Sequence, residues 1–293
     1  MRSDLRCVLC IANQALESPL RFTDDPVVRE RILRETLREL AEFDRSRTPP
    51  EMGGMLCRLI GEAIGDPDPF LAEKRRLNRV ALEILPELER LVAAAPDPFA
   101  AAVRMAIAGN VIDFGAPGGI TEGLRDELRA ALERPLEGGG ETAVGRLEVA
   151  AARAKSILYI TDNAGEIVLD RLLIERLPAG SVTVAVRSGP AINDALVEDA
   201  ETAGLDRLAE VIGSGSTIPG TLIDQCFSSF VERYRSADLV ISKGQGNYET
   251  MSDERGPIVF LLRAKCEVVA SQRACEQGDY VVAEAETAGG SGD

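Results

Sequence analysis

From residue 157 onward, short apolar runs alternate with stretches in which apolar residues return every third or fourth position. Ile157, Leu158, Tyr159 and Ile160 form a β-prone run, and Ile167, Val168, Leu172, Ile174 and Leu177 follow at helical spacing. The pattern predicts a strand entering a helix through residues 161–165. Further strands are predicted at 181–186, 210–213, 238–242, 258–262 and 267–270, with helices at 191–203 and 223–234. This alternation is the signature of parallel β-α-β units.

Residues 1–135 follow a different pattern. A helix is predicted around residues 7–15. Another covers 26–45, where Val27, Val28, Ile32, Leu33, Leu37 and Leu40 share one face between charges. Further helices are predicted at 56–64, at 70–95 as one or two segments interrupted near Pro86, at 99–108 and at 121–134. Residues 135–140, with three consecutive glycines, carry the clearest boundary signal, and a helix at 145–155 leads into the first strand. The predicted fold is α/β: an N-terminal helical lobe (1–135) packed on a Rossmann-like, mostly parallel α/β lobe (145–283). Residues 284–293 are small, acidic and glycine-rich, and are expected to form a disordered tail.

Composition narrows the chemistry. The 293 residues contain no histidine, which removes Ser-His-Asp and Cys-His catalysis, His-ligated zinc and an imidazole acid or base. The net charge of −15 would repel a phosphate backbone, so no nucleic-acid partner is expected. No apolar run reaches the roughly 20 residues that span a bilayer, and the first residues lack the apolar core of a signal peptide. A cytoplasmic protein with no membrane partner is expected. Six scattered cysteines do not read as a disulfide scaffold, and nothing in the pattern sets an oligomeric state.

In a parallel sheet the loops leaving strand ends emerge at one edge, where ligands bind. The loop at 161–165 supplies Asp162 and Asn163. The loop at 187–194 supplies Arg187, Asn193 and Asp194, and the loop at 243–249 supplies Lys243, Gln245, Asn247 and Glu249 on a backbone freed by Gly244 and Gly246. Asn110 and Asp113, in Gly-Asn-Val-Ile-Asp-Phe-Gly, either cap helix ends or line the cleft between the lobes. Carboxylate and amide oxygens without histidine suit magnesium or manganese by ligand type, with cobalt or nickel as further options. Taken alone, an Asp before a helix is more often an N-cap than a ligand. Glu166 at the start of its helix is favourably placed on the dipole. The loop at 213–220 is neither a P-loop nor a dinucleotide fingerprint.

The run from Ile160 to Asp170 (Ile-Thr-Asp-Asn-Ala-Gly-Glu-Ile-Val-Leu-Asp), Gly189-Pro-Ala-Ile-Asn-Asp194 and Lys243-Gly-Gln-Gly-Asn-Tyr-Glu249 closely resemble the DUF89 family of metal-dependent damage-control phosphatases. Cys7-Val-Leu-Cys10 and Lys265-Cys266 resemble its prokaryotic branch. The resemblance covers nearly the whole chain in order. It implies metal ligation by Asp162, Asn163 and Asp194, with Asp199 a rival for the third position and Lys243 contacting a transferred phosphate. Whether Asp162 is a ligand only or also a nucleophile stays open. So does the role of Cys7, Cys10 and Cys266, as a metal half-site, a redox group or buried packing.

The expected function is divalent-metal-dependent hydrolysis of a small phosphorylated metabolite, a sugar phosphate or a damaged phosphometabolite. Arg187, Asn110, Asp113, Asn193, Gly244, Asn247 and Glu249 are the candidate substrate contacts, and Asp162 and Lys243 the catalytic pair. The alternatives are an S-adenosylmethionine-dependent carboxyl methyltransferase and a non-catalytic binder of metal or phosphometabolite.

Overall fold

A computed structural model describes residues 1–112, 122–137 and 139–285. In chain order the helices and strands are α1 (Leu5–Glu17), α2 (Pro26–Ala41), α3 (Pro49–Ile64), α4 (Leu71–Ala94), α5 (Pro98–Ala108), α6 (Glu122–Ala131), β1 (Leu136–Glu137), α7 (Gly140–Arg153), β2 (Ile157–Ile160) and α8 (Glu166–Ile174). They continue with β3 (Val182–Val186), α9 (Val197–Thr202), β4 (Glu210–Gly213), α10 (Ser228–Ser236), β5 (Leu239–Lys243), α11 (Gln245–Met251), β6 (Ile258–Arg263), α12 (Glu267–Arg273) and β7 (Tyr280–Glu284). The strands form one sheet in the order β1-β7-β6-β5-β2-β3-β4. All neighbours are parallel except β6 and β7. The expected α/β architecture, with its helical N-terminal region and mostly parallel sheet, is therefore present.

The central strands β2 and β5 are buried along their whole length, as strands covered on both faces must be. Their alternation divides the core in two. Ile157, Tyr159, Val184 and Ile241 face one cluster with α4 to α9, and Leu158, Ile160, Val240 and Phe260 face another with α1 to α3 and α10 to α12. The N-terminal helices thus split between the two faces of the sheet. Helix α8 is buried nearly all round, its Glu166 and Asp170 included, because α4 and α5 pack against it.

Several elements differ from the sequence expectation. Pro86 does not interrupt α4, which runs unbroken past it. An internal proline costs about 3 kcal/mol, and a face carrying Leu77, Ala81, Ile84, Leu88 and Val92, each at most 1% exposed, outweighs it. Helix α3 begins at Pro49 rather than 56, where the Glu51 carboxylate accepts from the Thr48 backbone N–H at 2.7 Å. Leu136, Glu137 and Gly140 belong to the α/β fold: β1 pairs with β7, and Gly140 packs so closely on Leu136 that a Cβ would sit 2.6 Å away.

Residues 267–270 form helix α12, not a strand, because Val268 and Val269 bury on a helical face. Tyr280–Glu284, outside the predicted set, forms β7 between β6 and β1. The predicted helix at 191–203 shrinks to α9, whose start is set by Asp199 accepting from the Leu196 N–H at 2.8 Å. The predicted helix at 223–234 becomes a 3-10 turn, Ile223–Gln225, followed by α10. Residues 286–293, most of the expected tail, lie outside the described residues, whereas Glu284 belongs to β7. Among the described residues no helix is long and apolar enough to cross a membrane.

Asn78 of α4 ties the helical region to the sheet edge. Its Oδ1 accepts from the Gly165 N–H at 2.7 Å, and its Nδ2 donates to Asp199 at 2.6 Å. Both partners are buried, so Asn78→Ala strands a donor and an acceptor. It is expected to lower the free energy of unfolding in urea by about 2–4 kcal/mol, with no change in far-ultraviolet circular dichroism.

Candidate active site

The strand order reverses at β2: β3 and β4 lie on one side of it, β5 and β6 on the other. That switch point is where an open α/β sheet leaves a crevice at its carboxyl edge. The turn after β2 and the loop after β3 are fastened together there. Ala164 N–H donates to the Asn193 carbonyl and Ala195 N–H to the Asp162 carbonyl, both at 2.8 Å, forming an antiparallel bridge between Asn163 and Asp194. Asp162, Asn163, Asn193 and Asp194 are thereby set side by side on a cleft of about 680 Å³.

Asp162 is not a helix cap. Gly165 occupies the N-cap position of α8, and the Asp162 carboxylate accepts instead from Asn163 Nδ2 at 2.8 Å. The same amide nitrogen donates to Glu166 Oε2 at 3.1 Å, so both of its protons face carboxylates and its Oδ1 is turned away from them. Asp194 is held by Arg187, whose Nε reaches Oδ2 at 2.6 Å. Burial, reinforced by Glu166 and Asp194, pushes the Asp162 carboxyl well above the usual range, against the pull of Lys265 and Arg187.

Gly244 makes this packing possible. Its φ of 83° is left-handed, and a Cβ there would lie 2.0 Å from Asp162 Oδ2. No side chain other than hydrogen fits between β5 and the acid.

Lys243 points behind this surface. Fully buried, its ammonium donates to Glu166 Oε1 at 2.8 Å, to the Ala106 carbonyl at 2.7 Å and to Asp170 Oδ1. Three acceptors use its three protons. Burial opposes its charge, yet the two carboxylates prevail and raise its pKa. Asp170 is pushed up to about 6 by burial, although Lys243 pulls the other way. It also accepts from Tyr159 Oη at 2.8 Å.

The structure therefore sorts the expected residues. Asp162, Asn163, Asn193, Asp194 and Glu249 line the cleft. Lys243, Arg187, Asn110 and Asn247 do not, because each is engaged below it. Arg187 also bonds Thr221 and Asn247, Asn110 donates to Glu166 at 3.1 Å, and Asn247 Nδ2 holds the Thr161 and Lys243 carbonyls. Gly244 acts through the space it leaves. Residues 245–249 form the first turns of α11 rather than a loop, which explains why Asn247 points inward while Gln245 and Glu249 reach the cleft. Asp199, bound to Asn78 and the Leu196 N–H, is not at the cleft. Asp113 lies outside the described residues.

Three participants went unassigned in sequence. Glu166 is the hub of the buried network, Asp170 lies one helical turn further on, and Lys265 lines the cleft near enough to lower the Asp162 pKa. The spacing of Glu166 and Asp170 at i and i+4 was a usable signal, since it puts both on one face of α8. Cys7, Cys10 and Cys266 meet at the same cleft, and none of the six cysteines forms a disulfide. Burial pushes the Cys7 and Cys10 thiols up.

The donor set suits a hard cation. Among the described residues no three His, Cys, Asp or Glu side chains gather as a metal cluster. Asp162 and Asp194 with the Asn163 amide oxygen instead supply two carboxylates and a carbonyl-type donor, a set that leaves further positions for water or phosphate, as magnesium sites do. The crowding that raises the Asp162 pKa is what a dication would relieve.

Fold and site together define a doubly wound α/β protein with an oxygen-lined cleft at its switch point. Residues 3–281 match the damage-control phosphatase ARMT1-like domain, and the chain belongs to that family. It is 35% identical over 286 residues to damage-control phosphatase PH1575 of Pyrococcus horikoshii, covering 96% of this chain and 97% of that protein. It is 33% identical over 282 residues to a damage-control phosphatase of Archaeoglobus fulgidus, with 94% and 96% covered. The crystal structure of the DUF89 family protein from P. horikoshii superposes with a TM-score of 0.88 at 34% identity, over 98% of this chain and all of that one.

Replacing Lys243 with Met would leave Glu166 and Asp170 without their cation. A loss of about 3–5 kcal/mol in urea unfolding is expected, partly restored by adding Asp170→Asn.

Glu249 gives a pH signature. Burial pushes it from 4.5 up to about 7, against the Gln245 hydrogen bond. Between those values the folded chain holds a proton that the unfolded chain has released, so stability falls as pH rises. Melting of the wild type against Glu249→Gln over pH 4.5 to 7 should show this slope in the wild type and less of it in the variant.

Proposed function

We propose that the protein is a divalent-metal-dependent phosphatase acting on small phosphorylated metabolites. The observation that carries this reading is the fastening of Asp162, Asn163 and Asp194, from two separate crossovers, along one cleft beside Lys265. The names of the relatives, damage-control phosphatases at 33–35% identity over nearly the full chain, support the phosphatase part of this reading.

Asp162, Asp194 and the Asn163 oxygen would hold the cation, which supplies Lewis-acid neutralisation of phosphoryl charge. The chain's own residues do the rest. Asp162 and Glu166 hold the Asn163 amide through its nitrogen, and Arg187 holds Asp194 through Oδ2. Lys265 brings the cation that faces a phosphate from the cleft side, a role its position suits better than that of Lys243. Lys243 becomes a positioning residue acting through Glu166. The methyltransferase alternative draws no support, because the turn after β2 presents acid and amide side chains where close approach to a nucleotide calls for glycine.

Phosphate release from a panel of phosphomonoesters tests the reading. Activity should vanish with a chelator, return with manganese or magnesium, and fall about a thousandfold in Asp162→Ala and Asp194→Ala. Lys265→Met should act mainly on KM. Turnover that survives chelation and both aspartate substitutions would rule the proposal out.

A further inference from the structure

The cleft has two chemically unlike parts. One carries Asp162, Asn163, Asp194 and Lys265. The other is walled by Ile11, Leu56, Ile60, Phe70, Ile192 and Pro219. Ile11, Leu56, Ile60 and Phe70 are buried, whereas the charged lining residues Arg6, Glu17 and Glu267 are exposed. Against those six side chains a sugar would surrender water from its hydroxyls without gaining partners, which elsewhere in the lining only polar side chains such as Gln14, Ser18, Gln245 and Gln277 could supply, and a hydrocarbon would not.

Ile192 adds an independent observation. It is a β-branched residue at φ 53°, in the left-handed region that such side chains avoid. Strain of this kind persists only where surrounding structure imposes it, and it collects at functional sites. Here the imposing contacts are visible. The Asp194 N–H donates to the Ala191 carbonyl at 3.0 Å, closing a turn around Ile192, and the Ile192 N–H donates to Cys57 Sγ at 3.4 Å. Glycine or asparagine would suit this backbone better. The isoleucine instead puts an alkyl group into the cleft two residues before Asp194.

We propose that Ile192 determines specificity, and that the substrates are phosphate monoesters whose alcohol part carries an apolar group. The phosphate lies at the Asp162 and Lys265 end, and the hydrocarbon runs along Ile192, Leu56 and Phe70. This rests on the phosphatase reading and narrows its substrate class.

The test measures kcat/KM for phosphate release from ethyl, butyl and hexyl phosphate and from glucose 6-phosphate, with the full chain and manganese. A rise of roughly threefold per added methylene is expected, with hexyl phosphate preferred over glucose 6-phosphate. Ile192→Gly and Ile192→Asn both fit the backbone and should still melt cooperatively, while the hexyl-to-ethyl ratio drops at least threefold. A flat chain-length series, a preference for the sugar phosphate, or an unchanged ratio in both variants would overturn the assignment. If no ester is hydrolysed, the phosphatase reading fails by itself, and calorimetry with ethyl and hexyl phosphonate decides the inference. Tighter binding of the hexyl compound, weakened in Ile192→Asn, upholds it, and equal binding of the two overturns it.

Discussion

A lysine ammonium buried where water cannot reach it holds the site together. Lys243 ends β5, and Glu166 and Asp170 stand one turn apart on α8, so their contact couples the centre of the sheet to the helix packed on it. Isolated charges at that depth would be prohibitively costly. The pairing leaves Glu166 with an oxygen to spare, which Asn110 and Asn163 share. Through that oxygen, a purely internal ion cluster dictates which way the Asn163 amide faces. The cleft's chemistry is thus set from below by residues that never touch it.

The two halves of the N-terminal region serve the cleft in different ways. Helices α1 and α3 lend it a wall, with Ile11, Leu56 and Ile60. Helix α4, on the opposite face of the sheet, braces the turn after β2 through Asn78. Close approach of backbone does the remaining work: Gly246 leaves room for the Pro219 carbonyl, where a Cβ would be 2.1 Å away, just as Gly244 leaves room for Asp162. Each such contact brings a loop nearer to its neighbour than any larger residue would allow.

Much of this was legible in the chain. The strand, acid-amide turn and helix around Asp162 stand where periodicity put them, and the alternation after residue 157 announced a parallel sheet. Short apolar stretches were harder. Val268 and Val269 have the character of a strand yet sit on a helix, because seven residues are too few for either period to declare itself and packing decides. Lys243 shows the same limit for chemistry. A lysine after a strand and before Gly-Gln-Gly looks like a phosphate contact, and nothing local reveals that α8 brings two carboxylates to it.

What the sequence determined by itself was the repertoire: a histidine-free set of acids, amides and lysines at strand ends, and glycines where the backbone must pass closely. Which of them face the cleft and which lie beneath it was decided only by the tertiary structure. The direction of a side chain at a strand end depends on partners supplied from far along the chain. Glu166 and Lys243 are separated by 77 residues, and Asn110 reaches Glu166 from 56 residues before it. Such pairings leave no periodic trace, because they arise from the order in which strands line up and helices cover them.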